Sequence, residues 1–378
     1  MSNSTKININ SATVAILLCL NSITWFLPLS NGAVVVVAAF SVILYLIAGN
    51  RIPNKKVLCL VGFNLLFFSS MLFGASEHEQ KYLLEFIAVG IISLSIMQSH
   101  IDKQKVYICV TFISVIFCPL ILKMDLSLMD PGNLMGLSYG ILRLICPLLF
   151  LIIFVSTKKT IRLILLIPLI LYLSMYIQFA SRGAILSLLV FGALLLYIRY
   201  VRKKHTGVLL IFSASLILLV MFEPIIEFLS SFFSQFGIDV YAFDKIIRMM
   251  GDGDVTNGRE SILQRGFSMG MESPLWGHGV AAYENRYNTG YVHNLFMQIF
   301  IEGGIILLIP YVYYICVAIN YIITPANSNS ERIFLAMLLS LSIVELMFSN
   351  YLWRDQVFWL FIGYTIKLKN KKKYLIAV

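Results

Sequence analysis

Tyr291-Val292-His293-Asn294-Leu295 opens an apolar run, residues 294–320, long enough to cross a bilayer. Two polar stretches lead into it: Asn257-Gly258-Arg259-Glu260, then Ser273-Pro274-Leu275-Trp276-Gly277-His278-Gly279. A histidine at the mouth of a membrane helix, with arginines near it, suits chemistry on an anionic, lipid-linked substrate at the membrane surface.

The rest of the chain repeats the apolar theme. Of 378 residues, 59% are hydrophobic and 13% charged, with a mean hydropathy of +0.85. A soluble domain carries about a quarter charged residues. Twelve spans are expected, at 12–28, 32–49, 57–74, 82–98, 106–122, 137–155, 161–179, 183–200, 207–222, 294–320, 332–348 and 355–366. The first and last have the shortest and most ragged apolar lengths. Without the period-2 alternation of barrel strands, spans in lipid must be helices, because only helices satisfy their own backbone polar groups there. The fold class expected is an all-α polytopic membrane protein. No small-residue cleavage pattern follows the first run, so no signal peptide is expected.

Basic clusters (Arg51/Lys55/Lys56, Lys103/Lys105, Lys158/Lys159/Arg162, Arg199/Arg202/Lys203/Lys204 and the tail 367–373) fall in every second loop. This positive-inside pattern puts both termini in the cytoplasm and accounts for the net charge of +10 without a nucleic-acid partner. The six cysteines all sit in apolar segments with no CxxC spacing, which argues against disulfides and zinc.

Three regions follow: 1–222 with nine helices, an external loop 223–293, and 294–378 with three helices and a basic tail. Within the loop, 224–250 is amphipathic enough to lie along the membrane surface. Residues 251–258 are turn-rich, and a short helix is expected to begin there, capped by Thr256 or Asn257. The acidic run 252–258 fails as a calcium loop, since Leu263 stands where a bidentate glutamate is needed, so no metal site is expected. Residues 266–270 match a bare GxSxG pattern without strand–turn–helix context.

Gly258-Arg259, Pro274-Leu275-Trp276-Gly277-His278-Gly279, and His293-Asn294-Leu295 with Glu302-Gly303-Gly304 together resemble the O-antigen ligase/polymerase family. Ser181-Arg182-Gly183-Ala184 is similar to a second motif of that family. His278 departs from the pattern, which has an apolar residue between those glycines. The resemblance implies a GT-C-like helical glycosyltransferase of the bacterial inner membrane, with one large periplasmic loop. It also implies inverting, metal-independent and cofactor-free transfer of a glycan from undecaprenyl diphosphate to a sugar hydroxyl. Membrane lipids, a chain-length regulator and a flippase are the other partners it implies.

The residue chemistry supports the same roles. A departing diphosphate needs preorganised positive charge, which arginine supplies bidentately; Arg182 and Arg259 are the candidates, and His293 is the candidate base. Asn294 either orients the acceptor or caps the helix. Arg143, inside the sixth span, either contacts diphosphate or forms a structural ion pair. For Tyr139 and Ser138, one turn above it, substrate contact and interfacial packing are both open. Arg265 and Arg286 are expected to be solvated, Arg354-Asp355 to pair locally, and Glu302 to serve helix packing. A polymerase is preferred to a ligase that uses lipid A-core as acceptor. A transporter would place its charges near the bilayer midplane, whereas these gather at the external interface.

Overall fold

The computed structural model describes residues 2–20, 22–23, 32–50, 54–69, 76–121, 131–155, 159–179, 181–201, 228, 230–235, 237, 247, 259–288 and 290–376. The expected span 207–222 and the turn-rich stretch 251–258 lie outside these residues. Of the amphipathic stretch 224–250, residues 230–234 are helical.

Every regular element among the described residues is helical. In chain order they are α1 (Asn3–Leu18), α2 (Gly32–Ile47), α3 (Lys55–Phe67), α4 (Glu77–Glu85), a π-turn (Phe86–Ile91), α5 (Ile92–Ile96) and α6 (Lys103–Ile121). Next come α7 (Pro131–Phe150), which runs on as a π-turn to Val155, α8 (Lys159–Phe179) and α9 (Arg182–Tyr200). The rest are α10 (Arg259–Glu272), α11 (Ala282–Tyr287), α12 (Leu295–Ile323), α13 (Asn329–Phe348), a 3-10 turn (Leu352–Arg354) and α14 (Gln356–Ile376).

Among the described residues, five stretches are long and apolar enough to cross a membrane: Lys103–Leu120, Leu134–Phe154, Lys159–Tyr176, Arg182–Tyr200 and Leu295–Ile323. They match five of the twelve expected spans. Large apolar side chains such as Ile164, Ile167, Ile170, Leu189, Leu196 and Ile309 stand exposed on them. Water would penalise so much bare hydrocarbon, whereas lipid matches it.

Two expected boundaries differ instructively. Helix α1 begins at Asn3 rather than near 12, because Ser2 caps it and the buried Asn10 finds partners in Asn50 and the His100 carbonyl. The ragged last span is central: along α14, residues 357–362 are fully buried. It lies among protein, packed on α13 and α5, and so needs no long lipid-facing surface. Trp353, Trp359, Phe86, Phe68 and Tyr311 form the aromatic knot beside it. Helix α4 starts from a capping box in which Ser76 and Glu79 satisfy each other's backbone N–H groups. Among the described residues helices α9 and α13 pack most extensively on each other, and α12 packs on both α10 and α13.

Candidate active site

The loop 273–279 and helix α12 are built as one interlocked unit. At Gly304 the helix leaves helical geometry (φ 61°, ψ −161°), a combination open essentially to glycine alone. The break frees two amides. Ile305 N–H donates to the Pro274 carbonyl at 2.8 Å and Ile306 N–H to the Leu275 carbonyl at 3.2 Å. In return His278 N–H donates to the Ile301 carbonyl at 2.8 Å and Gly279 N–H to the Glu302 carbonyl at 2.9 Å. Four hydrogen bonds thus replace those a continuous helix would make. Gly277 (φ 68°) is needed for the approach, since a Cβ there would lie 2.5 Å from the Glu302 backbone.

Glu302 closes the lock from its side chain. Its carboxylate accepts from Ala281 N–H (3.2 Å), Gln298 Nε2 (3.0 Å) and Trp353 Nε1 (2.8 Å). The expected packing role is what its contacts show. His278 is tied by Nε2 to the Met269 carbonyl at 2.7 Å, which fits an anchor between loop and α10.

His293 stands at the mouth of α12 in a left-handed conformation (φ 55°). Asn294 follows as N-cap, its Oδ1 accepting from Met297 N–H at 3.0 Å. Of its two expected roles, capping is the one with a visible partner. The His293 ring packs on Tyr291, with centroids 4.2 Å apart, and its Nδ1 is buried without a hydrogen-bond partner among the described residues. Burial, reinforced by the Arg259 guanidinium, lowers the imidazole pKa to about 4. The ring is neutral at neutral pH.

Arg259 opens α10 and is half-buried. Its charge reaches both His293 and the Tyr139 hydroxyl. Arg182 opens α9, directly after the N-cap Ser181, whose Oγ accepts from Ala184 N–H. Ser181 also contacts Ser138 of α7 at 3.4 Å. Tyr139 presses so closely on the next residue that a Cβ at Gly183 would lie 2.1 Å from its hydroxyl oxygen. Tyr139 therefore links the two arginine-bearing helix starts. The geometry brings Arg259, His293, Tyr139 and the N-terminal turn that carries Arg182 to one end of the bundle.

Arg143 lies elsewhere. Fully buried, it pairs with Glu345 at 2.8 Å and faces Asp355 at 3.7 Å. Of its two expected roles, the ion pair is the one with visible partners. Asp355, expected to pair with its neighbour Arg354, faces Arg143 here; its carboxylate also caps α14 through Phe358 N–H and accepts from Asn350 Nδ2. Arg286 pairs with Glu272 at 2.5 Å rather than standing merely solvated, and Arg265 lies over the Tyr287 ring.

Sequence reading missed the continuation of this network. Asn350, at φ 67°, donates from Nδ2 to Glu345 and Asp355 (3.3 Å each), and its backbone N–H donates to the Tyr291 hydroxyl at 2.8 Å. Tyr291 in turn carries His293 on its ring. A chain of contacts therefore runs from the buried Arg143 pair to the site. An intramembrane arginine demands a carboxylate, and the few carboxylates within apolar segments (Glu85, Glu302, Glu345 and Asp355) were the only signal the sequence held, without saying which of them it was.

Residues 167–312 match the family described as O-antigen ligase. The matched segment, less than half of the chain, holds Arg182, Arg259 and His293 but neither Tyr139 nor Arg143. Comparison with curated proteins gives no match. The similarity supports a glycan-transferring membrane enzyme of the O-antigen ligase/polymerase type.

Proposed function

We propose that the protein is a surface-polysaccharide polymerase of the O-antigen type. It moves a growing glycan from undecaprenyl diphosphate to the non-reducing sugar of a newly flipped, lipid-linked repeat unit. One observation carries the reading. A neutral, part-buried imidazole whose Nδ1 has no hydrogen-bond partner among the described residues sits within the field of Arg259, at the mouth of an apolar helix, inside the family-matched segment.

In this scheme His293 takes the proton of the acceptor hydroxyl. The acceptor oxygen attacks the anomeric carbon from the face opposite the diphosphate, and the C–O bond to the diphosphate breaks, which inverts the centre. The electron pair leaves with undecaprenyl diphosphate, whose charge Arg259 and Arg182 stabilise. A pKa near 4 alone would make His293 a weak base. The dianionic leaving group offsets this by stabilising the imidazolium as it forms. Tyr139 borders the donor diphosphate, and Asn294 fixes the turn that presents His293. Arg143 is left out, because its charge is committed to Glu345 and Asp355. The chemistry takes place on the periplasmic face of the inner membrane, with both termini in the cytoplasm.

The second reading is a ligase with lipid A-core as acceptor, favoured by the description of the matched family. Purified protein incubated with a polyprenyl diphosphate-linked repeat unit separates the two. A ladder of longer lipid-linked products without any ion gradient supports the polymerase. Transfer only on addition of lipid A-core supports the ligase, and no transfer in either case refutes both.

A further inference from the structure

Helix α10 carries three stripes, and each meets a different neighbour. Gly266, Met269 and Gly270 are buried. The two glycines let α10 close on α12, where added Cβ atoms would meet Met297, Ile301 and Phe300. This gives the GxSxG run a packing role. A second stripe is polar and exposed: Glu260, Gln264, Ser268 and Glu272, one turn apart. The third is apolar and equally exposed: Phe267 (53%), Met271 (54%), then Leu275 (57%) and Trp276 (67%) in the loop.

The level of this third stripe follows from the lock on α12. The carbonyls of Pro274 and Leu275 hold the amides of Ile305 and Ile306, ten and eleven residues into the helix. Below the break at Gly304, residues 305–323 rise roughly 28 Å, close to the ~30 Å of a hydrocarbon core. If that segment crosses the core, Ile305 and the loop carbonyls that hold it, and with them Leu275 and Trp276, stand at the edge of the hydrocarbon. Their neighbours on α12, Ile305, Ile309 and Val312, are exposed and apolar too, so one bare hydrocarbon face continues from helix to loop.

We propose that Phe267, Met271, Leu275 and Trp276 form a wedge inserted among the lipid acyl chains of the leaflet on the His293 side. Lipid is the occupant that fits, because the patch is continuous with the lipid-facing side of a membrane-spanning helix and a polar stripe runs beside it. Re-entrant backbone is tolerated at this depth because the loop's amides and carbonyls are paired with α12. The wedge holds α10 against the membrane and so fixes the height at which Arg259 and His293 stand. This inference rests on the membrane-spanning character of α12, not on the reaction proposed above.

The test uses full-length protein in phosphatidylethanolamine–phosphatidylglycerol vesicles, with the six natural cysteines replaced and one nitroxide label at a time at 264, 268, 271, 275, 276 or 309. Labels at 271, 275 and 276 should collide severalfold more with oxygen than with a water-soluble nickel chelate, matching 309. Labels at 264 and 268 should show the reverse. As a check with native cysteines, Trp276 in a Trp25→Phe variant should be quenched by brominated lipids, since Trp353 and Trp359 are fully buried. Nickel-accessible labels at 271 and 276, with no bromolipid quenching, overturn the proposal. So does a patch closed to both reagents with spin–spin broadening, which would show a second copy of the chain covering it.

Discussion

Replacing Gly304 by alanine should unlock the site without touching any residue of the proposed chemistry. The backbone there has φ 61° and ψ −161°, and an added Cβ would lie 2.3 Å from the Leu275 oxygen. Alanine cannot hold that conformation without strain of ~1–3 kcal/mol. If the chain relaxes instead, the Ile305 and Ile306 amides lose the carbonyls of Pro274 and Leu275. Each buried amide left unpaired costs ~1–3 kcal/mol. Relaxation therefore costs about 2–6 kcal/mol, a fall in apparent Tm on the order of 3–8 °C for a protein of this size. The assay is thermal unfolding in detergent, with Gly192→Ala in α9 and Gly62→Ala in α3 as controls. A Cβ at either control meets nothing within 4 Å, so both should be neutral or slightly stabilising. If Gly304→Ala unfolds at the same temperature as the controls, the lock between loop and helix does not exist as described.

Glu345→Ala strands the buried Arg143 with Asp355 at 3.7 Å; breaking such a pair costs ~3–5 kcal/mol, read as a lower Tm. Arg259→Gln removes a positive charge that, with burial, holds the His293 pKa near 4. Since the neutral ring is the active form, activity falls as pH drops through that pKa; the variant's acid limb should move to higher pH, towards the ordinary 6.5. An unmoved limb would mean Arg259 does not act on His293. Ser181→Ala deletes the N-cap of α9, worth ~1 kcal/mol, and loosens the turn that presents Arg182. Its donor KM should rise severalfold with Tm little changed.

What the sequence disclosed was whatever depends on composition and local order. Apolar length marks α6, α7, α8, α9 and α12, because crossing lipid is a one-dimensional requirement on the chain. It marks α14 poorly, because that helix is sheltered by protein and owes nothing to lipid. His293, Arg182 and Arg259 stood out because a charged or titratable group beside an apolar span needs a reason, and the structure gathers Arg259 and His293 at one end of the bundle. The lock at Gly304 was hidden, since a glycine pair within an apolar run reads as helix until a distant loop is seen to invade it. The Arg143–Glu345 pair was hidden for the same reason: its partners are 202 residues apart, and no local rule joins them.

The central claim is that the His293 imidazole removes the acceptor proton. Its most direct test is single-turnover elongation of a polyprenyl diphosphate-linked repeat unit by purified His293→Ala protein, in vesicles where the native enzyme is active. The variant should insert correctly and remain stable, yet form no elongated product at any pH. A product ladder from that variant, at a rate near the native one, would contradict it.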